Sequence, residues 1–382
     1  MNITQRLLPI DFLRGIAILL MTIDHCRDMF ASIPVAMYLG TELPLSYYLT
    51  RLSSHICAPA FILLSGLSVY LKQEKYNQPI RELQINLIKR GLFLIFLAIV
   101  IMSPLWNFIL NSKTYTLFLT ELWAIGWGLI FISFMLNFKP LTVTIVSLII
   151  IFGHNFLNSF DNIDSLFWAL LHTRKTFPLI EDTLNITTYY PLLAWFGISG
   201  IGYSLGYYLY NKNISEEVRN NYLLKAAMGC FILFLILRYV NFYGDPNSFT
   251  IYHESLLKTL YSFFDLTKYP PSLLFTLLTL GFCFKILWFT SKYGKNPSRL
   301  TLIISEYGNC ALFYFIFHLF LICALVYVVA YLFNNGRFLS IPNIGLSYFM
   351  ALVVAIITYP IIKWFNKLKN KYKSRVPLFS YF

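Results

Sequence analysis

The stretch LLPIDFLRGIAILLMTIDHC, residues 7–26, has the length and apolar content of a membrane-crossing helix, yet it holds Asp11, Arg14, Asp24 and His25. A charge near the centre of a bilayer costs at least ~2.5–3.5 kcal/mol on insertion scales. A helix carrying such groups must turn them toward protein or a water-filled cavity. At 100° per residue, Asp11, Arg14, Gly15, Ile18, Thr22 and His25 fall on one stripe. Arg14 and His25 are separated by about three turns, ~16 Å along the axis. Asp24 lies on another face, within reach of Arg27 and Asp28 one turn on.

Composition extends this reading to the whole chain. Of 382 residues, 58% are hydrophobic and only 12% are charged, where soluble domains carry roughly 25% charge. The apolar runs predict an all-α polytopic transmembrane helical bundle. About 20 apolar residues cross the hydrocarbon core, and ten such segments are expected at 10–30, 52–71, 88–107, 117–136, 140–157, 188–210, 222–241, 271–290, 310–333 and 343–365. Residues 1–366 then form one membrane domain and 367–382 a basic cytoplasmic tail. No cleavable signal peptide is expected, because Asp11 and Arg14 interrupt the first apolar stretch.

Charge sets the expected orientation. The tail carries Lys367, Lys369, Lys371, Lys373 and Arg375, and basic flanks stay in the cytoplasm. Ten spans put the N-terminus there as well. Residues 72–90, with Lys72, Lys75, Arg81, Lys89 and Arg90, and residues 285–299, with Lys285, Lys292, Lys295 and Arg299, then also face inward. The loop 158–187 faces outward, and its acids Asp161, Asp164, Glu181 and Asp182 outnumber Arg174 and Lys175. The net charge of +13 is thus a membrane pattern and calls for no nucleic acid. A multi-pass protein of a bacterial-type inner membrane is expected. On this topology His25, His55, His154, His172 and His253 lie at or beyond the outer face, and His318 lies within the ninth span.

Other candidate residues gather around this frame. Arg51 and His55 are four apart in RLSSHICAPAF and share a helical face. Pro59 follows one turn later, where it frees a carbonyl or kinks the helix. Two imidazoles at the outer level, His25 and His55, suit proton-transfer chemistry: one as general base, and the other, or Arg51, to orient the reacting group or support an oxyanion. Arg238 closes the seventh span, Asp245 follows in a turn-prone Gly-Asp-Pro, and Lys268 precedes Pro270-Pro271. Arg238 and Lys268 suit a substrate's polar or anionic groups and Asp245 its polar groups, though a turn is the better reading of Asp245. Asp24 and Arg27 suit either a substrate or a hydrated helix end. The Gly-rich GISGIGYSLG, residues 197–206, lies within a span and reads as close helix packing. The six cysteines show no metal spacing; Cys26 and Cys57 fall near one membrane face, and nothing demands a bridge between them. No metal site is announced.

The spacing Asp11-x2-Arg14-Gly15-x9-His25 resembles the first helix of membrane acyltransferases. In the acyltransferase-3 family the corresponding histidine is regarded as catalytic and the arginine belongs to the same motif. LLPIDFLRGIAILLM, LTRLSSHICAPAFILLSG, ELWAIGWGLI, YPLLAWFGISGIGYSLG, RYVNFYGDP, KYPPSLLFTLLTLG and YGNCALFYFIFHL together resemble a narrower group, the heparan-alpha-glucosaminide N-acetyltransferase-like membrane proteins. In the animal enzymes of that group the catalytic histidine lies in the loop after this helix. The corresponding loop here, roughly 31–50, has none, and those enzymes carry Asn in place of His25.

The resemblance implies an acyltransferase that uses acyl-CoA, in the simplest case acetyl-CoA, and passes the acyl group to a hydroxyl or amine of an extracytoplasmic saccharide. His25, His55, Arg14 and Asp11 are the expected catalytic group. Arg14, Arg238, Lys268 and His318 are the expected contacts of the donor, and Arg51, Asp24, Arg27 and Asp245 those of the acceptor. Membrane lipid and a second copy of the chain in a homodimer complete the expected partners. A competing class, a transporter or a lipid or glycan flippase, would use the same intramembrane Asp, Arg and His residues for passage. A catalytically dead scaffold is the third class.

Overall fold

The computed structural model describes residues 3–30, 43–76, 78–110, 112–333 and 344–372. Most of the loop 31–50 that lacks a histidine, together with Lys373 and Arg375 of the tail, lies outside the described residues. The helices are α1 (Ile3–Phe30), α2 (Leu45–Ser54), α3 (Cys57–Tyr76), α4 (Ile80–Leu97), α5 (Ser103–Leu110), α6 (Glu121–Met135), α7 (Pro140–Gly153), α8 (Leu166–Leu171), α9 (Leu192–Leu209), α10 (Glu216–Val240), α11 (Leu256–Phe264), α12 (Leu273–Tyr293), α13 (Arg299–Asn309), α14 (Ala311–Phe333) and α15 (Ile344–Tyr372). Among the described residues, seven helical segments are long and apolar enough to cross a membrane: Leu45–Tyr76, Ile80–Leu110, Pro140–Phe160, Glu216–Val240, Leu273–Tyr293, Ala311–Leu332 and Ile344–Tyr372.

The other three expected spans are helical too, in α1, α6 and α9. Helix α1 has the length but carries a load of charge. Helix α6, with 15 residues, reaches only ~22 Å. Its expected first residues are a strand instead. Tyr115–Leu119 alternates exposed and buried positions as β1, and the helix starts only at Glu121. The continuous apolar run TLFLTELWAIGWGL hides that switch from period two to period 3.6.

The chain divides into two compact units. The first comprises Met1–Cys57, Ile251–Phe264 and Ile286–Phe382. Within it α1 packs against α2, α13, α14 and α15. Helices α1 and α13 meet backbone to backbone: a Cβ added at Gly15 would collide with the Ile304 carbonyl, and one at Gly308 with the Asp11 carbonyl. Only glycine permits that approach. Because Asp11 meets residue 308 and Gly15 meets residue 304, the two helices run antiparallel. Thr22 meets Tyr314 and His25 meets His318, so α1 and α14 run the same way. A core of Cys26, Phe30, Ile322, Val326, Met350, Ala351 and Val354 closes the α1, α14 and α15 seam.

The second unit comprises Ala58–Thr250 and Asp265–Lys285. Helix α4 packs on α6, and α9 on α6 and α7. The Gly-rich stretch 197–206 lies in α9, where Gly202 abuts the Leu63 carbonyl. A Cβ at Gly66 would likewise strike the Ser199 carbonyl. Between α4 and α5 the chain makes one π turn, Ala98–Met102, in which the Ser103 N–H reaches back five residues to Ala98 O. Pro104, which has no N–H to give, follows at once. A small sheet ordered β1-β3-β2 joins β1 to a hairpin of β2 (Thr176–Ile180) and β3 (Leu184–Thr188), with β1 parallel and β2 antiparallel to β3. The Asn107 side chain pairs with β1 as a strand would: Oδ1 accepts from Thr116 N at 2.8 Å and Nδ2 donates to Thr116 O at 2.7 Å. The mostly helical class thus holds, with a small sheet added: its hairpin falls in the expected loop 158–187 and β1 at the start of an expected span.

Candidate functional site

The polar stripe of α1 is organised at three levels. At one end Arg14 Nη1 lies 3.4 Å from Asp11 Oδ1, an ion pair one turn apart. Lys369, on the last turns of α15, donates to the Asn309 carbonyl at 2.6 Å. In the middle, Thr22 donates to Ile18 O at 3.0 Å and meets the Tyr314 hydroxyl at 2.8 Å. Since the Thr22 hydrogen is committed to Ile18, the Tyr314 phenol donates to Thr22. Three residues on, His25 Nδ1 lies 3.0 Å from His318 Nε2. The two imidazoles are near-parallel, with an interplanar angle of 12°. His318 is fully buried and its Nδ1 donates to the Tyr314 carbonyl at 2.8 Å.

Past His25 the helix ends in a second charge group. Arg27 is buried and grips both neighbours, Asp24 at 2.6 Å and Asp28 at 2.8 Å. The separate face expected for Asp24 is thus the Arg27 side of the helix.

His55 and Arg51 occupy α2. His55 is buried and caps the helix. Its N–H turns back to Leu52 O at 3.3 Å, and α3 begins only at Cys57. Pro59 is the cause: it has no N–H for the His55 carbonyl, so the helical ladder breaks there. Cys57 Sγ donates to the Ala17 carbonyl at 3.2 Å, tying this break to α1. All six cysteines are free thiols.

Arg238, Asp245 and Lys268 belong to the second unit. Arg238 is buried, and its guanidinium bonds two carbonyls, Asn247 O at 2.7 Å and Asp265 O at 3.3 Å. The Asp245 carboxylate accepts from Asn247 N at 2.8 Å, Thr267 N at 2.9 Å, Thr267 Oγ1 at 3.0 Å and Ser272 Oγ at 2.5 Å. Burial raises its pKa from 3.8, against those donors and Arg238, which lower it. These contacts knit the turn after α10 to the start of α12. Lys268 lies over the Tyr269 ring at 5.2 Å, and Arg174 shares that ring at 5.3 Å while stacking on Tyr189 at 4.2 Å.

Sequence reading did not pair His25 with His318, nor Arg174 with Lys268. The first pairing had one signal, a lone histidine in an apolar helix of 23 residues. The second had none, because the partners are 94 positions apart in irregular segments. Among the described residues, no group of three or more His, Cys, Asp or Glu side chains is gathered to hold a metal ion.

A family model described as heparan-alpha-glucosaminide N-acetyltransferase, catalytic, matches residues 6–236. The chain belongs to this family. Membership implies acyl transfer at a membrane, in keeping with the seven apolar helices. The matched region contains Asp11, Arg14, His25, Arg51 and His55; it ends just before Arg238 and leaves out His318. No individual curated protein matches the chain.

Proposed function

We propose that this protein moves an acyl group, in the simplest case acetyl, from cytoplasmic acyl-CoA to a hydroxyl or amine of an extracytoplasmic saccharide, with His25 as the general base. The observation that carries the reading is a buried histidine on the charged stripe of α1, aligned with Arg14 and held by a second imidazole. The acceptor's O–H or N–H gives its proton to His25 as its oxygen or nitrogen attacks the thioester carbonyl. The tetrahedral intermediate collapses, the C–S bond breaks, and the CoA thiolate leaves and takes the proton from His25. General base help of this kind contributes roughly 10²–10⁴-fold, and holding both substrates in line contributes further. Arg14 at the opposite end of the stripe suits the donor's phosphates, and His55 with Arg51 suits the acceptor.

The topology proposed with this function has ten spans, both termini cytoplasmic, in a bacterial-type inner membrane. Three features support it. Every one of the expected segments contains a helix. The parallel course of α1 and α14 is what a first and a ninth span require. On ten spans the basic segments 72–90 and 285–299 would both fall on the cytoplasmic side and the acidic loop 158–187 on the other, as the charge rule asks.

The test uses purified protein in vesicles, radiolabelled acetyl-CoA supplied on the cytoplasmic side and a mixed envelope-glycan fraction on the other. Label on the glycan, lost in a His25→Ala protein that still folds and binds acyl-CoA, is the expected result. Movement of intact glycan or lipid without covalent transfer would replace this reading with the transporter class.

A further inference from the structure

The hydrogen bonds around His318 decide which nitrogen of His25 is basic. Tyr314 O is a carbonyl and only accepts, so His318 Nδ1, 2.8 Å away, carries its proton. In the neutral ring Nε2 then holds the lone pair. That lone pair faces His25 Nδ1 at 3.0 Å. Two lone pairs cannot share a hydrogen bond, so His25 Nδ1 must carry a proton and donate it. The His25 lone pair is left on Nε2. Which imidazole nitrogen is protonated is set by the bond the other one makes.

The acceptor is fixed as firmly as the rest of the seam. His318 is fully buried and stacks on the Tyr314 ring, with centroids 4.9 Å apart and planes 5° apart. Tyr314 is itself pinned to α1 through Thr22. The pairs Thr22–Tyr314 and His25–His318 stand three residues apart on α1 and four apart on α14. Together they lock both the register of the two parallel helices and the plane of the His25 ring.

We propose that His318 is the positioning residue of the acyl-transfer base: it holds His25 as the Nδ1–H tautomer, so that Nε2 is the nitrogen that takes the acceptor's proton. The proposal rests on the reading of His25 as general base. In the reaction the Nε2–H bond forms as the acceptor's O–H or N–H bond breaks, and His25 becomes an imidazolium. Its Nδ1–H bond to His318 then becomes charge-assisted and stronger, which stabilises the charged state relative to the resting one. The Nε2 proton leaves with the CoA thiolate, and the starting tautomer is restored. In this role His318 stands behind His25 rather than against the donor, where the sequence places it, and it exchanges no net proton.

Two measurements test this. The first is the ring ¹⁵N spectrum of histidine-labelled protein in lipid nanodiscs, with His25 assigned from its loss in His25→Asn. The expected spectrum has a protonated Nδ1 and an unprotonated Nε2 at His25, changed in His318→Ala. An Nε2–H tautomer at His25 in the intact protein overturns the proposal without reference to activity. The second is kinetic. His318→Ala should lower kcat on the order of 10²-fold and leave the KM for acyl-CoA unchanged. His318→Gln, whose amide oxygen can stand in for Nε2 as acceptor, should recover most of the rate. Full activity in His318→Ala, or a well-folded His318→Gln as slow as His318→Ala, would sink the positioning role. Those failures differ from failure of the acyl-transfer reading, which is a wild-type protein that transfers nothing.

Discussion

Asp245→Ala separates an anchor from a ligand contact. In the structure the carboxylate satisfies four donors in the turn after α10 and the segment leading into α12. They do not count equally. Asn247 is exposed, so water can take over its N–H. The Ser272 hydroxyl, on a fully buried residue, lacks that recourse, while half-buried Thr267 has it in part. A buried donor left unsatisfied costs about 1–3 kcal/mol, which sets the scale of the loss. Asp245→Asn keeps one accepting oxygen and replaces the other with an NH₂ group that faces a donor; its loss should be about half as large. The assay is thermal unfolding in detergent, paired with acyl-CoA and glycan binding. A large drop in melting temperature for Asp245→Ala, a smaller one for Asp245→Asn and unchanged affinities are expected. Wild-type melting with weakened glycan binding would refute the anchor reasoning and make Asp245 a substrate contact. The pH dependence follows from the raised pKa. The folded turn holds a proton more readily than the unfolded chain, so this group's contribution is full below about 3.8 and declines as pH rises through the raised value. Asp245→Asn should remove that slope.

Two further outcomes are expected. Gly308→Ala should push α13 off α1, because its Cβ falls on the Asp11 carbonyl and the Gly15 nitrogen, neither of which can yield as a side chain would; overpacking of this kind costs about 1–3 kcal/mol, read as a lower melting temperature. Single cysteines placed at Asp182 and Lys295 in a cysteine-depleted protein should separate by side: a membrane-impermeant maleimide should label position 182 in intact cells and position 295 only after lysis. Labelling of both in intact cells would overturn the proposed orientation.

The helical segments were legible from sequence because a bilayer demands long apolar runs, and each expected run contains a helix in the structure. The helix that starts at Glu121 rather than at residue 117, and the hairpin within 158–187, were not. Strand and helix are both apolar there, and composition does not separate them. Helix α13 also went unexpected, since Arg299–Asn309 is too short and polar to read as a span. The stripe that joins Arg14 to His25 follows from helical periodicity alone, a property of one element. So does the break at His55, which Pro59 dictates four residues on.

What sequence could not supply is the set of relations between elements. Gly15 reads as part of a motif, but its need for zero side-chain volume is set by Ile304 on another helix. His318 reads as an isolated histidine in an apolar run; 293 positions away, His25 makes it the acceptor of a buried hydrogen bond. A residue's helical face is fixed locally by 100° per position. The partner it meets depends on which helices pack and in which register, and those are decided by close backbone approach and by the hydrogen bonds that buried polar groups must find.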